Sequence, residues 1–407
     1  MKLLAPWAYV AALLAAAALA QAPAPAPAAA PVSPQVDAAA LKSAANAALN
    51  QGHKRQAARR LQQALKADPK WVKGWWEMGT LLYEGNQYPA AAVAYARLTR
   101  LVPRAGAPWV MLGLCDFEMR NFGLSLQHIT EGRALGLPPD KNLQAVAIYH
   151  QIQDLLVMGN FVQAGFILRN FAHAHQAFPG AILAAGLAAL HYPLPTENLS
   201  AMLDPARMRL VRRVGEAEFL AAERKIDLAR RRMAVIVKQY PRVPYLHYAY
   251  ADILRNAGKK AQSELELQSE LQVNPKSATT ILQLAADKLE DNRKAEALAL
   301  VKRAGALRPH DYVVYYMLAL IRFRSGHPHA ALQAARQSRI LNPENSQIRY
   351  LLAQIDIRLH RAAAARREQR AFLRLRKISS VYMTQGVLPA FVYTQPASPA
   401  PAAASHP

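Results

Sequence analysis

Cysteine occurs once in this chain, at Cys115. A lone thiol excludes an intrachain disulfide and a zinc site built from cysteine pairs. Beside Leu112 and Leu114, Cys115 is expected to act as a small buried hydrophobe. Glycine is sparse as well, 18 in 407 residues. No alternating β-branched runs occur, so the composition predicts an all-α chain. Acids are in short supply: 27 Asp and Glu stand against 50 Lys and Arg, a formal net charge of +23. That balance favours polyanions or anionic surfaces as counterparts.

The signatures of common enzymes are missing too. There is no Gly-rich phosphate loop, no H-E-x-x-H and no G-x-S-x-G elbow. The close histidine pairs are His173 with His175 and His327 with His329. Residues two apart on a helix diverge by ~200°, so the first pair cannot share a metal; the second falls in a turn. Glu290 and Asp291 read as solvated turn acids. The chain is therefore expected to be no enzyme, with no catalytic residue, no cofactor, no metal and no small-molecule substrate.

Long apolar runs are confined to the N-terminus. Residues 1–22 combine Lys2, an Ala/Leu-rich run and small-x-small sites ending at Ala20 or Ala22, the pattern of a cleaved secretory signal peptide. Leu3–Ala20 is also just long enough for an anchor helix. Export to the periplasm or beyond is the expectation either way. Residues 23–36 form an Ala/Pro-rich spacer of polyproline character.

What the rest of the chain has is a repeat. Pro69 and Pro103 are 34 residues apart, and Pro241, Pro275, Pro309 and Pro343 keep the same interval. Between Lys73 and Pro103, Trp75, Met78, Gly79 and Leu82 share one helical face, and Ala91, Tyr95 and Leu98 share a second after a break at Gly85-Asn86. Neither stripe can bury itself, so neighbouring copies must stack. Further copies place Trp109, Leu112, Gly113, Ser125 and Ile129; Ala285, Ala297, Val301 and Ala304; and Tyr315, Leu318, Ala319 and Ala331 at matching positions. An initial copy carries Ala45, Ala57, Leu61 and Ala64 without the aromatic.

With its proline interval, W-x2-L-G-x2-Y helix and A-x3-F-x2-A helix, the sequence resembles the tetratricopeptide repeat family. Val243–Pro275 further resembles a segment recurring in secreted bacterial members. The resemblance implies a right-handed α-solenoid of antiparallel helix pairs, roughly nine of them. The expected organisation is helical repeats over 37–178, an irregular connector over 179–215 around Tyr192-Pro193-Leu194-Pro195, repeats over 216–377, and an apolar cap with a tail over 378–407.

The resemblance also implies that fixed positions of each first helix line an inner surface. Lys73, Trp76, Thr80, Tyr83, Val110, Phe117, Tyr245, Tyr248, Asp252, Arg255, Tyr316, Leu320, Phe323, Arg324, Tyr350 and Arg358 fall there. Aromatics with arginines suit capture of a protein segment, though the same rings could simply pack between helices. The family's clamp for a C-terminal carboxylate is broken. Lys42 and Asn46 match it, but Glu77, Ala107 and Met111 do not. Arginines also crowd 207–213, 224–232 and a last helix carrying Arg366, Arg367, Arg370 and Arg374. Two functions from different classes result. One is a non-catalytic scaffold holding a protein or peptide partner in the cell envelope. The other is an electrostatic adaptor for anionic membrane or cell-wall polymer. Export and the lack of a base-reading module argue against nucleic acid.

Overall fold

The computed structural model describes residues 38–138, 141–173, 180–194, 204–343 and 345–383. The expected signal peptide and spacer, and the expected cap and tail after Met383, lie outside these residues. Nineteen helices and no strand occur among the described residues. They are α1 (Ala38–Asn50), α2 (Lys54–Ala67), α3 (Val72–Glu84), α4 (Tyr88–Leu101), α5 (Gly106–Glu118), α6 (Phe122–Leu135), α7 (Lys141–Val157), α8 (Phe161–His173), α9 (Ala181–Ala189) and α10 (Pro205–Ala222). Then come α11 (Ile226–Gln239), α12 (Leu246–Asn256), α13 (Lys260–Val273), α14 (Ala278–Glu290), α15 (Lys294–Leu307), α16 (Tyr312–Arg324), α17 (Pro328–Leu341), α18 (Ser346–Arg358) and α19 (Ala362–Met383). The fold is all-α, built from antiparallel helix pairs. The chain divides into two compact units between Gly215 and Glu216, within α10.

Each pair turns by the same device. The first helix ends on a residue in the left-handed region: Gly52, Asn86, Arg120, Gly159, Arg224, Gly258, Asn292, Gly326 and His360. The amide after it reaches back five residues, as from Gln87 to the Leu82 carbonyl at 2.8 Å and from Lys259 to that of Leu254 at 2.9 Å. This closure satisfies orphan carbonyls and reverses the chain. Glycine and asparagine tolerate the conformation best, which is why six of these nine positions carry them.

Second helices stop by a different device. The caps before Pro69, Pro103, Pro241, Pro275, Pro309 and Pro343 have φ between −130° and −144°. Proline pushes its predecessor out of the helical region and into this one. Each proline carbonyl then needs a donor, and the residue six positions later often supplies it. Trp75 Nε1 donates to Pro69 O at 2.9 Å, the Tyr315 hydroxyl to Pro309 O at 2.9 Å, and Arg349 Nη2 to Pro343 O at 3.1 Å. His247 Nε2 bonds Pro241 O at 3.0 Å. Ile281 cannot donate, and Arg303 covers Pro275 O from the next hairpin at 2.7 Å.

Small residues sit where helices cross. Ala57, Ala64, Ala91, Ala297, Ala304 and Ala331 are fully buried, as are Leu61, Tyr95, Leu98 and Ile129. A Cβ on Gly79 would lie 2.9 Å from the Tyr95 ring. Cys115 is fully buried, and burial pushes its thiol up to about 12. It is the small core residue expected. Lysines at the start of second helices tie one repeat to the next: Lys54 to Glu84 at 2.7 Å, Lys260 to Glu290 at 3.0 Å and Lys294 to the Arg324 carbonyl at 2.8 Å. The last of these contacts meets the negative end of α16.

The small-residue position of the second helices is polar in two repeats: Ser263 donates to the Ala251 carbonyl at 2.8 Å, and Ser125 meets a carboxyl. Ser125 stands 34 residues after Ala91 and donates to Asp154 Oδ2 at 2.7 Å, both side chains buried between α6 and α7. Burial pushes the Asp154 carboxyl up to about 8, and the Asp116 carboxylate adds to the shift. A neutral Asp154 is thus favoured in the fold. The stability linked to this raised carboxyl is fully present below its ordinary 3.8 and is lost as pH rises through about 8. Asp154→Asn, which cannot ionise, is expected to lose this one contribution to the pH dependence and so to fall less in melting temperature across that window. The parent should lose several degrees relative to it at the alkaline end, read by circular dichroism.

Candidate interaction surface

First helices of successive pairs touch side by side, α5 with α7, α14 with α16 and α16 with α18. Their side chains therefore form continuous strips within each unit. The expected surface residues divide by exposure. Lys73 and Arg324 are exposed, and Tyr350 is 39% exposed with its ring 5.3 Å from Phe372. Trp76, Phe117, Tyr248, Arg255, Tyr316 and Phe323 are half-buried.

The half-buried rings lean on the core as well as on solvent. Trp76 meets Tyr95 edge-on at 5.6 Å, and Thr80 beside it bonds the Trp76 carbonyl at 3.0 Å. Phe117 stands edge-on to His150 at 4.5 Å. Tyr248 packs on Leu267 and Leu284, and Tyr316 joins two hydrophobic clusters, one around Ile281 and Val301 and one around Leu351 and Ile355. Burial pushes the Tyr316 phenol up to about 12.

Three residues differ from expectation. Val110 is fully buried in the cluster around Tyr95, Leu98 and Ile129. Tyr83 is buried rather than surface-lining, with 8% exposure and its ring 5.4 Å from Tyr88, because it belongs to the cluster around Tyr95 and Leu98. Tyr245 precedes α12 in a left-handed conformation instead of lying within a helix. Its amide donates to Glu270 Oε1 at 2.7 Å.

Charge on these strips is partly paired. Arg255 bonds Asp252 and stands 4.0 Å from Asp287 on the next first helix. Burial pushes the Asp287 carboxyl up to about 6. Arg324 reaches the Leu289 carbonyl at 3.5 Å across α14 and α16. Lys42, the remnant of the carboxylate clamp, is occupied by Asp68 at 2.6 Å and lies over the Trp71 ring. That is a structural role. On α19, Arg366, Arg370 and Arg374 are exposed. Among the described residues no group of His, Cys, Asp and Glu could hold a metal ion.

The described residues thus form an all-helical repeat protein whose hairpins share one turn and, in six of them, one proline stop. A family model described as Tetratricopeptide repeat matches residues 43–108, and one described as Anaphase-promoting complex, cyclosome, subunit 3 matches 290–368. The matched stretches carry tetratricopeptide-type repeats, which form protein-interaction scaffolds that are typically non-catalytic. No curated protein matches significantly.

Solved structures are similar at low identity. MamA is 16% identical, covering 41% of this chain and 97% of its own, with a TM-score of 0.37. The Cut9-Hcn1 hetero-tetramer is 13% identical, covering 86% of this chain and 91% of its own, with a TM-score of 0.38. The pilF protein of Pseudomonas aeruginosa is 15% identical, covering 44% and 86%, with a TM-score of 0.37.

Proposed function

We propose that this protein is a non-catalytic scaffold of the cell envelope that holds a segment of a protein partner along its first helices. The observation that carries this reading is the strip in the second unit where half-buried Tyr248, Tyr316 and Phe323 alternate with Arg255 and Arg324, next to exposed Tyr350. Half-buried rings beside guanidinium groups offer contact area at low entropic cost and a fixed polar register. The leader-like residues 1–22 support export.

Arg324→Ala with Tyr350→Ala removes surface groups and leaves the core intact. Capture of the partner by the full chain in envelope extracts is expected to weaken roughly tenfold, with the melting temperature nearly unchanged. Tyr316→Ala is expected to lower the melting temperature instead, because that ring joins two clusters. Undiminished capture by the surface double variant would sink the reading.

A second reading rests on Arg366, Arg370 and Arg374, which are exposed on α19 without an ion-pair partner among the described residues. It makes the last helix an electrostatic dock for anionic polymer or membrane. Such binding must collapse with rising salt; salt-independent retention on anionic vesicles would exclude it.

A further inference from the structure

A cavity of ≈ 330 Å³ lies among α17, α18 and α19. Arg336 and Arg339 reach it from α17, Asp356 from α18, Arg361 from the turn, and Arg367 and Glu368 from α19. Four guanidinium groups against two carboxylates leave a surplus of two positive charges. Both carboxylates are already engaged. Glu368 takes Arg339 Nη1 at 2.6 Å on one oxygen and Arg349 Nη1 at 3.1 Å on the other. Asp356 is 3.5 Å from Arg361, and the charges of Arg336 and Arg367 also act on it, so one carboxylate faces three of the guanidinium groups. Arg336 and Arg367 make no hydrogen bond or ion pair with any described residue. The first turn of α19 borders the same space through Ala364 and carries no acidic residue. Its free amide ends add positive potential there.

A wall this cationic is not explained by internal pairing. Two planar forks whose N–H groups make no hydrogen bond to a described residue match the oxygens of a tetrahedral oxyanion, and a surplus of two charges matches a dianion better than a carboxylate. The volume exceeds that of a bare phosphate and leaves room for a substituent. We propose that this cavity is a binding site for a doubly charged phosphoryl group, gripped by Arg336 and Arg367 with Arg361 supporting. Its source is either free inorganic phosphate or a phosphomonoester headgroup at a lipid surface. The site is independent of the partner strip, because none of its residues lies on that strip.

The test is isothermal titration of inorganic phosphate into the full chain, with acetate as the competing monoanion. Two exposed double variants are compared: Arg336→Gln with Arg367→Gln in the cavity, and Arg59→Gln with Arg60→Gln on α2, outside it. Circular dichroism checks that both remain folded. The expected result is saturable one-site binding, weakened at least about tenfold by the cavity variant and left unchanged by the outer one. Phosphatidic acid vesicles that compete with phosphate identify a headgroup as a source; vesicles that do not compete leave free phosphate as the ligand. Absence of saturable binding, equal loss in both double variants, or equally good displacement by acetate would each overturn the proposal.

Discussion

Gly215→Ala and Gly186→Ala are each expected to destabilise the first unit by about 3 kcal/mol or more. These glycines sit where α9 crosses α10. A Cβ on Gly215 would lie 1.8 Å from the Ile182 carbonyl oxygen, and one on Gly186 would lie 1.9 Å from that of Val211. Both obstacles are backbone atoms inside helices, so no rotamer change relieves them. The helices must move apart, which opens the buried contacts of Leu187, Leu210 and Val211. The sign is diagnostic, because glycine to alanine within a helix ordinarily gains about 1 kcal/mol. Gly165 on α8 supplies the contrast. Its Cβ would come no nearer than 3.7 Å to any neighbour, so Gly165→Ala should be neutral or stabilising. Urea unfolding followed by circular dichroism measures all three. Wild-type midpoints for Gly186→Ala and Gly215→Ala would mean that the two helices do not cross as closely as described.

Tyr95→Ala is expected to cost the same unit about 4 kcal/mol. The side chain is fully buried, fills the space left by Gly79, supports Trp76 edge-on and bonds Thr80 Oγ1 at 3.3 Å. Truncation leaves a void that Gly79 cannot fill. Tyr95→Phe separates ring from hydroxyl, because it deletes only a long hydrogen bond worth about 1 kcal/mol. An alanine variant that costs no more than the phenylalanine variant would show that the ring contributes nothing and that the core of this repeat lies elsewhere.

The helices were legible in the sequence because their boundaries are local. A proline forces its predecessor out of the helix, and a Gly or Asn break invites a left-handed closure. Both act within a few residues, so the break expected at Gly85-Asn86 falls at the end of α3, and α4 stops at Leu101, just before Pro103. Arg120, Arg224 and His360 show where that reading weakens. They take the same left-handed conformation without belonging to the residue types that favour it, because the hairpin on either side imposes it.

The surface was less legible. Position in the repeat places Tyr83 and Trp76 alike on the inner side, but packing buries Tyr83 and leaves Trp76 half-open. The donors to the proline carbonyls carried a signal that could have been found: Trp75, His247, Tyr315 and Arg349 each stand six residues after a repeat proline and each can donate. Their chemical diversity hides the pattern from any search for one residue type.

By itself the sequence determined the all-helical class, the 34-residue period and the residues that turn and stop each helix, since these follow from backbone preferences acting over one or two turns. Only the tertiary structure decided which aromatic is core, that Ser125 meets a carboxyl held neutral by burial, and that Arg336 and Arg367 converge beside Glu368. Those facts depend on contacts between separate helices. Burial and charge balance arise only once the hairpins stack, and the repeat pattern leaves the occupants of such sites free to vary.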